Sequence, residues 1–528
     1  MVVSRRSRSA FHCLALGFAG RFAGRFAGRF ALGFAIAALL LAPPPAAVAG
    51  DWPTVGGSSE RHGQSPETGP SQADILWQGT QSGLFGGANF TFGDRLVTWR
   101  FQSISVCPII CYGLGDGVAR WAVDFPGTNS RSIVRGVRDG RVYATNFQET
   151  QADSIIALDL ESGGRLWVSP LRAPLGIIWS AAFAPDGDLV MPVAPDDIAR
   201  IDAATGQQVW LATRTIPNTG AEHVCVHNNT VYGFEGSITT PKVLTAWNLD
   251  TGMRKYSSPA LPGDGDQEIP FTVAPDGTIY VKRDGAAGLL HALVDDGSAI
   301  TQRWAVPVNF GGTVSQIGVG LDGSVYVPDG TQLVRLDPLT GAELDRSIAL
   351  VSSSTLNPRF AIGADGTIYC GNGGSADGML HAFGPDLSVL WSEAVGGMVY
   401  GGPALGQGGR LAVSGGGTTL RVYRPSTSAV PDPDPRARQF LAAAPNPFGD
   451  ATTIRFANPA GDPISLLVFD ATGRRVRSLL DGARLGGGEH GITWDGRDDA
   501  GMPVGSGVYF LKITDGMSSR TARVLAVR

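Results

Sequence analysis

Cysteine is scarce in this chain: five among 528 residues, with no Cys-Cys dipeptide and no Cys-x-x-Cys-His. Covalent c-type haem attachment is thereby excluded. No His-Glu-x-x-His, no Gly-x-Ser-x-Gly and no phosphate-cradling glycine loop occurs, which removes the zinc-peptidase, serine-hydrolase and nucleotide-binding motifs. Charged residues make up only 17% while glycine numbers 73, a balance that suits a turn-rich all-β chain better than a helical or disordered one. The net charge is −5 and no basic stripe runs along the chain, so nucleic acid is not an expected partner. Long apolar runs are also missing, apart from Ala31–Ala42. That run is too short for a stable transmembrane helix and Pro43-Pro44-Pro45 follows it.

The first fifty residues hold six Arg and neither Lys nor an acidic residue. Arg5-Arg6-Ser7-Arg8, a Gly-Arg-Phe-Ala tandem repeat, the apolar run and Ala47-Val48-Ala49 follow in order. This is the charged, hydrophobic and small-residue sequence of an export signal spanning 1–49. Cleavage after Ala49 removes six positive charges and leaves −11. No lipobox Cys follows the run. The expected location is the cell exterior or surface, with no transmembrane segment in the mature chain.

What the chain has in abundance is a repeat. Asp-Gly-x-(Val/Ile)-Tyr occurs at Asp139, Asp276, Asp322 and Asp365, with weaker copies at Gly93, Asp186, Asn228 and Gly408. The eight starts are 42 to 48 residues apart. A period in this range with short strands is that of a β-propeller blade. Asp-Gly serves as the tight hairpin, because Gly takes positive φ without steric cost. Asp159…Gly163…Trp167 recurs as Asp202…Gly206…Trp210 and Asn248…Gly252…Tyr256, while Asp337…Gly341…Asp345 puts a carboxylate in place of the ring. Trp121, Trp304 and Trp391 close three further units.

One ring per unit predicts packing between neighbouring blades, each ring burying about 150–250 Å². At about 25 cal/mol per Å² that is several kcal/mol apiece. Three positions before each start lie Phe90, Gly136, Phe183, Cys225, Val273, Val319, Ile362 and Leu405, a buried column with one glycine. The eighth unit, Gly408–Ser428, lacks a closing Trp, and Asp74-Ile75-Leu76-Trp77 is a last strand without a blade. The two deficits match. The expectation is an eight-bladed propeller over 50–424 closed by the N-terminal strand, with Trp77, Trp121, Trp167, Trp210, Tyr256, Trp304 and Trp391 as blade-docking residues.

The frame Ala157 to Trp167, repeated from Arg200 to Trp210, resembles the pyrroloquinoline-quinone (PQQ)-type propeller repeat. So do Asp51-Trp52-Pro53-Thr54-Val55-Gly56-Gly57 and Arg61-His62-Gly63. The resemblance covers roughly 51–424. It implies the fold more than an activity, since that family holds both quinoprotein dehydrogenases and cofactor-free binding and assembly proteins.

Residues 425–439, with Val430-Pro431-Asp432-Pro433-Asp434-Pro435, read as a proline-stiffened linker. Alternating strands in 440–528 predict a small Ig-like β-sandwich. Pro445-Asn446-Pro447-Phe448, Phe469-Asp470-Ala471-Thr472-Gly473-Arg474-Arg475-Val476, Trp494-Asp495-Gly496-Arg497-Asp498-Asp499 and Gly505-Ser506-Gly507-Val508-Tyr509 resemble the C-terminal sorting domain of type IX secretion and the related FlgD-type Ig-like domain. The resemblance implies passage through the outer membrane, with secretion machinery as a partner of 440–528. The bland alternative is an Ig-like module without sorting activity.

Candidate chemistry is sparse. Cys107 and Cys111 lie in what reads as a loop insertion, where they could form a small disulfide. His223, Cys225 and His227 alternate, but the column places Cys225 in an apolar slot and His227 in a turn, against a metal site. His291 and His381 echo one another two units apart. Asp264, Asp266 and Glu268 have a calcium-loop flavour without a full ligand set, and solvated loop is the simpler reading. The leading expectation is a non-catalytic exported propeller, without cofactor, that meets a protein or glycan partner. One rival is a divergent dehydrogenase using PQQ and calcium. The other is an outer-membrane assembly scaffold, similar to the propeller lipoprotein of the barrel-assembly machinery.

Overall fold

The computed structural model describes residues 50–80, 88–100, 107–125, 131–147, 152–174, 180–216, 223–236, 242–262, 271–283, 288–310, 315–350, 358–372, 378–395, 402–414, 419–425, 441–444, 446–458, 463–470, 473–486, 488–514 and 519–527. The expected leader 1–49, nearly all of the linker and the Asp264, Asp266 and Glu268 loop lie outside them. The described residues are all-β, with one short 3-10 turn at Gln407–Gly409. Eight four-stranded antiparallel sheets occupy 75–423, and a three-stranded and a four-stranded sheet follow from Leu441 onward.

The repeat builds each sheet. In the second, Arg131–Arg138, Arg141–Phe147, Ala152–Asp159 and Arg165–Pro174 pair in sequence order. Asp139 and Gly140 turn between the first two strands at φ 49° and 72°. The Ala of the frame then has a packing reason. Ala157 faces Tyr143 on one side and Trp167 on the other, and over its small side chain the two rings approach to 6.0 Å. Tyr280–Ala292–Trp304 and Tyr369–Ala382–Trp391 repeat the row, with ring distances of 5.9 and 6.0 Å. In sheet six the row is Tyr326–Arg335–Asp345, where Arg335 bonds the Asp345 carboxylate at 2.6 Å. Arginine for alanine and carboxylate for indole therefore change together.

Each closing indole docks on the next sheet. The Nε1–H of Trp121 donates to Leu160 O at 2.8 Å, Trp167 to Ala203 O at 3.0 Å, Trp210 to Leu249 O at 2.8 Å and Trp304 to Pro338 O at 3.0 Å. Every acceptor follows the Asp or Asn of the next unit. The Gly of that unit lies under the ring: a Cβ on Gly163, already at φ +71°, would stand 2.7 Å from Trp121 Cδ2. Tyr256 docks differently. Its hydroxyl and that of Tyr232 both donate to the Asp295 carboxylate, at 2.6 and 2.7 Å.

The ring closes through the N-terminal strand. Ile75–Thr80 pairs antiparallel with Thr419–Tyr423, placing Trp77 opposite Val422. Trp77 donates to Leu114 O of sheet one at 2.9 Å, and Trp391 of sheet seven donates to Pro70 O at 3.3 Å. Pro70 thus supplies the acceptor that the eighth unit lacks. An apolar cluster joins every neighbouring pair of sheets, including the eighth to the first, where Ala412, Leu420 and Val422 meet Leu96, Ile110 and Tyr112. The column residues lie in the innermost strands. Gly136 is glycine because a Cβ there would lie 2.7 Å from the Phe183 ring.

The C-terminal domain sets Leu441–Ala444, Thr452–Asn458 and Gly488–Trp494 in one sheet. The other orders Arg475–Arg484, Pro463–Asp470, Gly507–Thr514 and Ser519–Ala526. Its core gathers Phe448, Ile454, Leu466, Trp494, Tyr509 and Leu511. Strands Leu441–Ala444 and Arg475–Arg484 went unread in the sequence, the latter because charge interrupts its alternation. Asn446 pins the domain's first segment to its last strand, donating to Arg523 O at 3.1 Å and accepting from Leu525 N at 2.8 Å. The acidic run after Trp494 caps turns: Asp498 accepts from Met502 N at 2.8 Å and Asp499 from Ser478 N at 2.9 Å.

One expectation is corrected. Cys111 is a free, buried thiol, so the Cys107–Cys111 bridge is not formed. The tract is no loop insertion, since Ile109–Gly113 is the third strand of sheet one and Cys111 packs beside Val97 and Ile109. An extended chain rises about 3.3 Å per residue, so four residues outrun the reach of a disulfide, about 7 Å between Cα atoms. Burial pushes the Cys111 thiol up to about 12.

Trp167→Ala is expected to cost about 3–5 kcal/mol in urea unfolding. Trp167→Phe keeps the ring but loses the bond to Ala203 O, and should cost about 1 kcal/mol.

Candidate functional site at the ring axis

Residues 51–68 have no alternating pattern and form no strand, yet every sheet is tied to them. Trp52 N donates to Thr91 O of sheet one at 3.0 Å, and Val137 N of sheet two donates to Pro53 O at 2.9 Å. Thr54 Oγ1 donates to Ala181 O at 2.8 Å and Ser59 Oγ accepts from Phe183 N at 2.8 Å, both on sheet three. Val226 N, Val273 N and Val319 N of sheets four, five and six donate to the carbonyls of Ser59, Glu60 and His62 at 3.1, 2.9 and 2.9 Å. Ile362 N of sheet seven reaches Gly63 O at 2.7 Å, and Ser65 Oγ donates to Leu405 O of sheet eight at 3.3 Å. The segment is a strap across the axis at the end where the innermost strands finish. The strand-to-strand connections at the opposite end fall mostly outside the described residues.

Arg61 is the centre of the strap. Its side chain is 1% exposed and its backbone sits at φ 67°. Nε and Nη2 donate to Val224 O at 3.1 and 3.0 Å, and Nη2 also to Ser180 O at 2.8 Å. Nη1 donates to Thr54 Oγ1, Val55 O and Ser180 Oγ at 2.9, 3.1 and 2.5 Å. All of these acceptors are neutral. Burial lowers the guanidinium to about 10, so it stays charged at neutral pH. A buried cation held by carbonyl and hydroxyl dipoles can be satisfied without a carboxylate, provided every donor is used.

Several groups here resemble chemistry without the right protons. Ser58 Oγ lies 3.3 Å from His62 Nε2. His62 Nδ1 accepts from Gln64 N at 3.1 Å, so the ring proton sits on Nε2 and the imidazole has no lone pair for Ser58. Ser58 Oγ instead accepts from Glu60 N and Arg61 N, as a turn cap. His223 is fully buried and its Nε2 donates to Phe271 O at 3.0 Å. Burial pushes it well below the usual histidine range, which keeps it neutral. His227 Nδ1 lies 3.7 Å from Glu60, and Cys225 is a buried thiol. Among the described residues no three His, Cys, Asp or Glu side chains are placed to hold a metal.

Calcium takes about six to eight oxygen ligands. Among the described residues Glu235 is the one buried carboxylate, and its oxygens are engaged by Thr215 N, Thr245 Oγ1 and Arg254 at 2.6, 2.6 and 2.7 Å. No second buried carboxylate stands beside it among the described residues. His291 and His381, matched by repeat, bond Gln302 and Ser392 within their own sheets at 2.8 and 2.7 Å. The signal for the strap was present as Pro53, Gly56, Gly57 and Gly63 around an isolated Arg, but nothing in periodicity reveals a segment that pairs with eight strands singly.

Residues 108–285 match the family model described as outer membrane protein assembly factor BamB, and residues 448–518 match the FlgD Ig-like domain. No curated protein matches the chain. Among solved structures, BamB from Moraxella catarrhalis is 14% identical, with 67% of this chain and 99% of that one covered and a TM-score of 0.49. PorZ of Porphyromonas gingivalis, a surface component of the type-IX secretion system, is 13% identical over 85% of this chain and 70% of its own, with a TM-score of 0.37. A quinohemoprotein alcohol dehydrogenase of Pseudomonas putida is 13% identical over 71% and 80%, with a TM-score of 0.36. The chain is a β-propeller with BamB-like repeats followed by an Ig-like domain.

Asp51, at the start of the strap, gives a pH test. Burial, opposed by the Gly93 amide and reinforced by Asp139 and Glu67, raises its carboxyl to about 6. The folded pKa lies above the unfolded one, so the folded chain binds the proton more tightly and gains stability as pH falls through about 6 toward 4. After solvent screening the gain is about 1 kcal/mol. Asp51→Asn should remove that portion of the pH dependence in urea unfolding between pH 4 and 7.

Proposed function

We propose that this protein is an exported, non-catalytic binding propeller. Residues 1–49 direct export, the 440–528 domain engages secretion machinery, and the ring meets a protein or glycan partner. The observation that carries this reading is the strap. It occupies one end of the axis and spends its polar groups on the innermost strands, which leaves the opposite end as the face for a partner. Arg61, His62 and His223 support a structural use of the interior, since their hydrogen bonds lead to backbone or hydroxyl groups. Among the described residues no helix is long and apolar enough to cross a membrane. The FlgD Ig-like match supports an appended module of the sorting kind.

A second reading, an assembly scaffold at the outer membrane, is favoured by the BamB match over 108–285. The two readings share a binding ring and differ in where the mature chain resides.

Intact-mass measurement of culture supernatant should find a chain beginning at Gly50. Full-length chain confined to cells would overturn export. Titration of the purified protein with PQQ and calcium should give no stoichiometric bound-quinone absorption band, and appearance of one would replace the binding reading by the dehydrogenase.

A further inference from the structure

Sheets in a repeat ring touch only their two neighbours, so such proteins are expected to open locally, one sheet at a time. This chain carries an element that touches all eight. Along the strap, Ser59 and Glu60 serve sheets four and five, and His62 and Gly63 serve sheets six and seven. Adjacent strap residues thus hold adjacent sheets, and one carbonyl cannot move away without displacing the next. Thr54 and Ser59 both bind sheet three, and the turn between them is clasped by the Arg61 guanidinium through Thr54 Oγ1 and Val55 O. The same residue reaches across the axis. Gln316 Nε2 of sheet six donates to Arg61 O at 3.3 Å, and Gln316 Oε1 accepts from Phe360 N of sheet seven at 3.2 Å. Arg61 therefore joins the segments entering sheets three and four to sheets six and seven.

We propose that residues 51–68 are a coupling strap that makes the eight sheets open as one unit. Release of one innermost strand requires slack that the strap does not have, so partial opening is replaced by detachment of the whole segment. The device gives the opposite end of the ring a rigid base.

Hydrogen exchange with mass spectrometry on the mature chain tests this. Arg61→Met should speed exchange at least tenfold in the innermost strands of all eight sheets, including Arg131–Arg138 and Ala404–Gly406, which Arg61 does not touch. Gln64→Leu removes only the donors to Val319 O and Gly320 O, bonded at 2.9 and 3.1 Å, and decides the matter if Arg61→Met does not fold. Its smaller effect should be equally ring-wide. Trp167→Phe, which loosens one dock outside the strap, should by the same coupling speed exchange in all eight sheets and not in sheets two and three alone. Faster exchange confined to Gly318–Val319 in Gln64→Leu, or to sheets three, four, six and seven in Arg61→Met, would overturn the proposal. So would exchange confined to sheets two and three in Trp167→Phe.

Discussion

A ring of sheets is fastened at its seam when one sheet takes strands from both ends of the chain. Here that constraint is met by Ile75–Thr80 lying beside Thr419–Tyr423. Without it, sheet eight has three strands where every other sheet of the ring has four, and sheet one loses the Trp77 ring that sits against Tyr112 at 6.1 Å. The indole docks, the shared apolar clusters and the strap all presuppose a circle closed at this point.

Closure and the strap belong to one continuous stretch, 51–80. The strap runs past the innermost strands, turns outward at Gly69-Pro70 and becomes the outermost strand of sheet eight. Pro70 O is shared on the way by Tyr369 Oη at 2.9 Å and Trp391 Nε1 at 3.3 Å. Residues 51–80 therefore serve both the innermost strands and the outermost strand of sheet eight. A binding surface built from loops needs such a base, because loops gain their geometry from the elements that carry them.

The fold was legible where physics repeats. Asp-Gly turns at a fixed interval, a carboxylate eight positions from an indole and an orphan strand ending in Trp77 are enough to place sheets and the closing strand. Substitutions within the frame were less legible. Asp345 for Trp makes sense only once Arg335 is seen between two carboxylates, donating from Nη1 to Asp345 at 2.6 Å and from Nη2 to Asp322 at 2.7 Å. Asp295 could not be read as the acceptor of two tyrosines, because Tyr232 and Tyr256 reach it from different strands of the preceding sheet. Cys107 and Cys111 misled because an isolated Cys pair suggests a loop staple, whereas the strand Ile109–Gly113 uses Cys111 as a small core side chain. The strap was hidden for a different reason. Its bonds to six of the eight sheets are made by backbone groups one at a time, and backbone carries no sequence signature beyond permissive glycines.

The most direct measurement of closure is a cross-strand disulfide. Gln78 and Arg421 face each other in register, with Arg421 Nε bonded to Gln78 Oε1 at 2.7 Å. Opposed residues in antiparallel strands lie about 4.5–5.5 Å apart, within disulfide reach. A chain carrying Gln78→Cys and Arg421→Cys should form an intramolecular 78–421 bridge in high yield under mild oxidation, detected by peptide mapping. Reduced thiols at both positions, or bridges only between separate molecules, would contradict the closed ring.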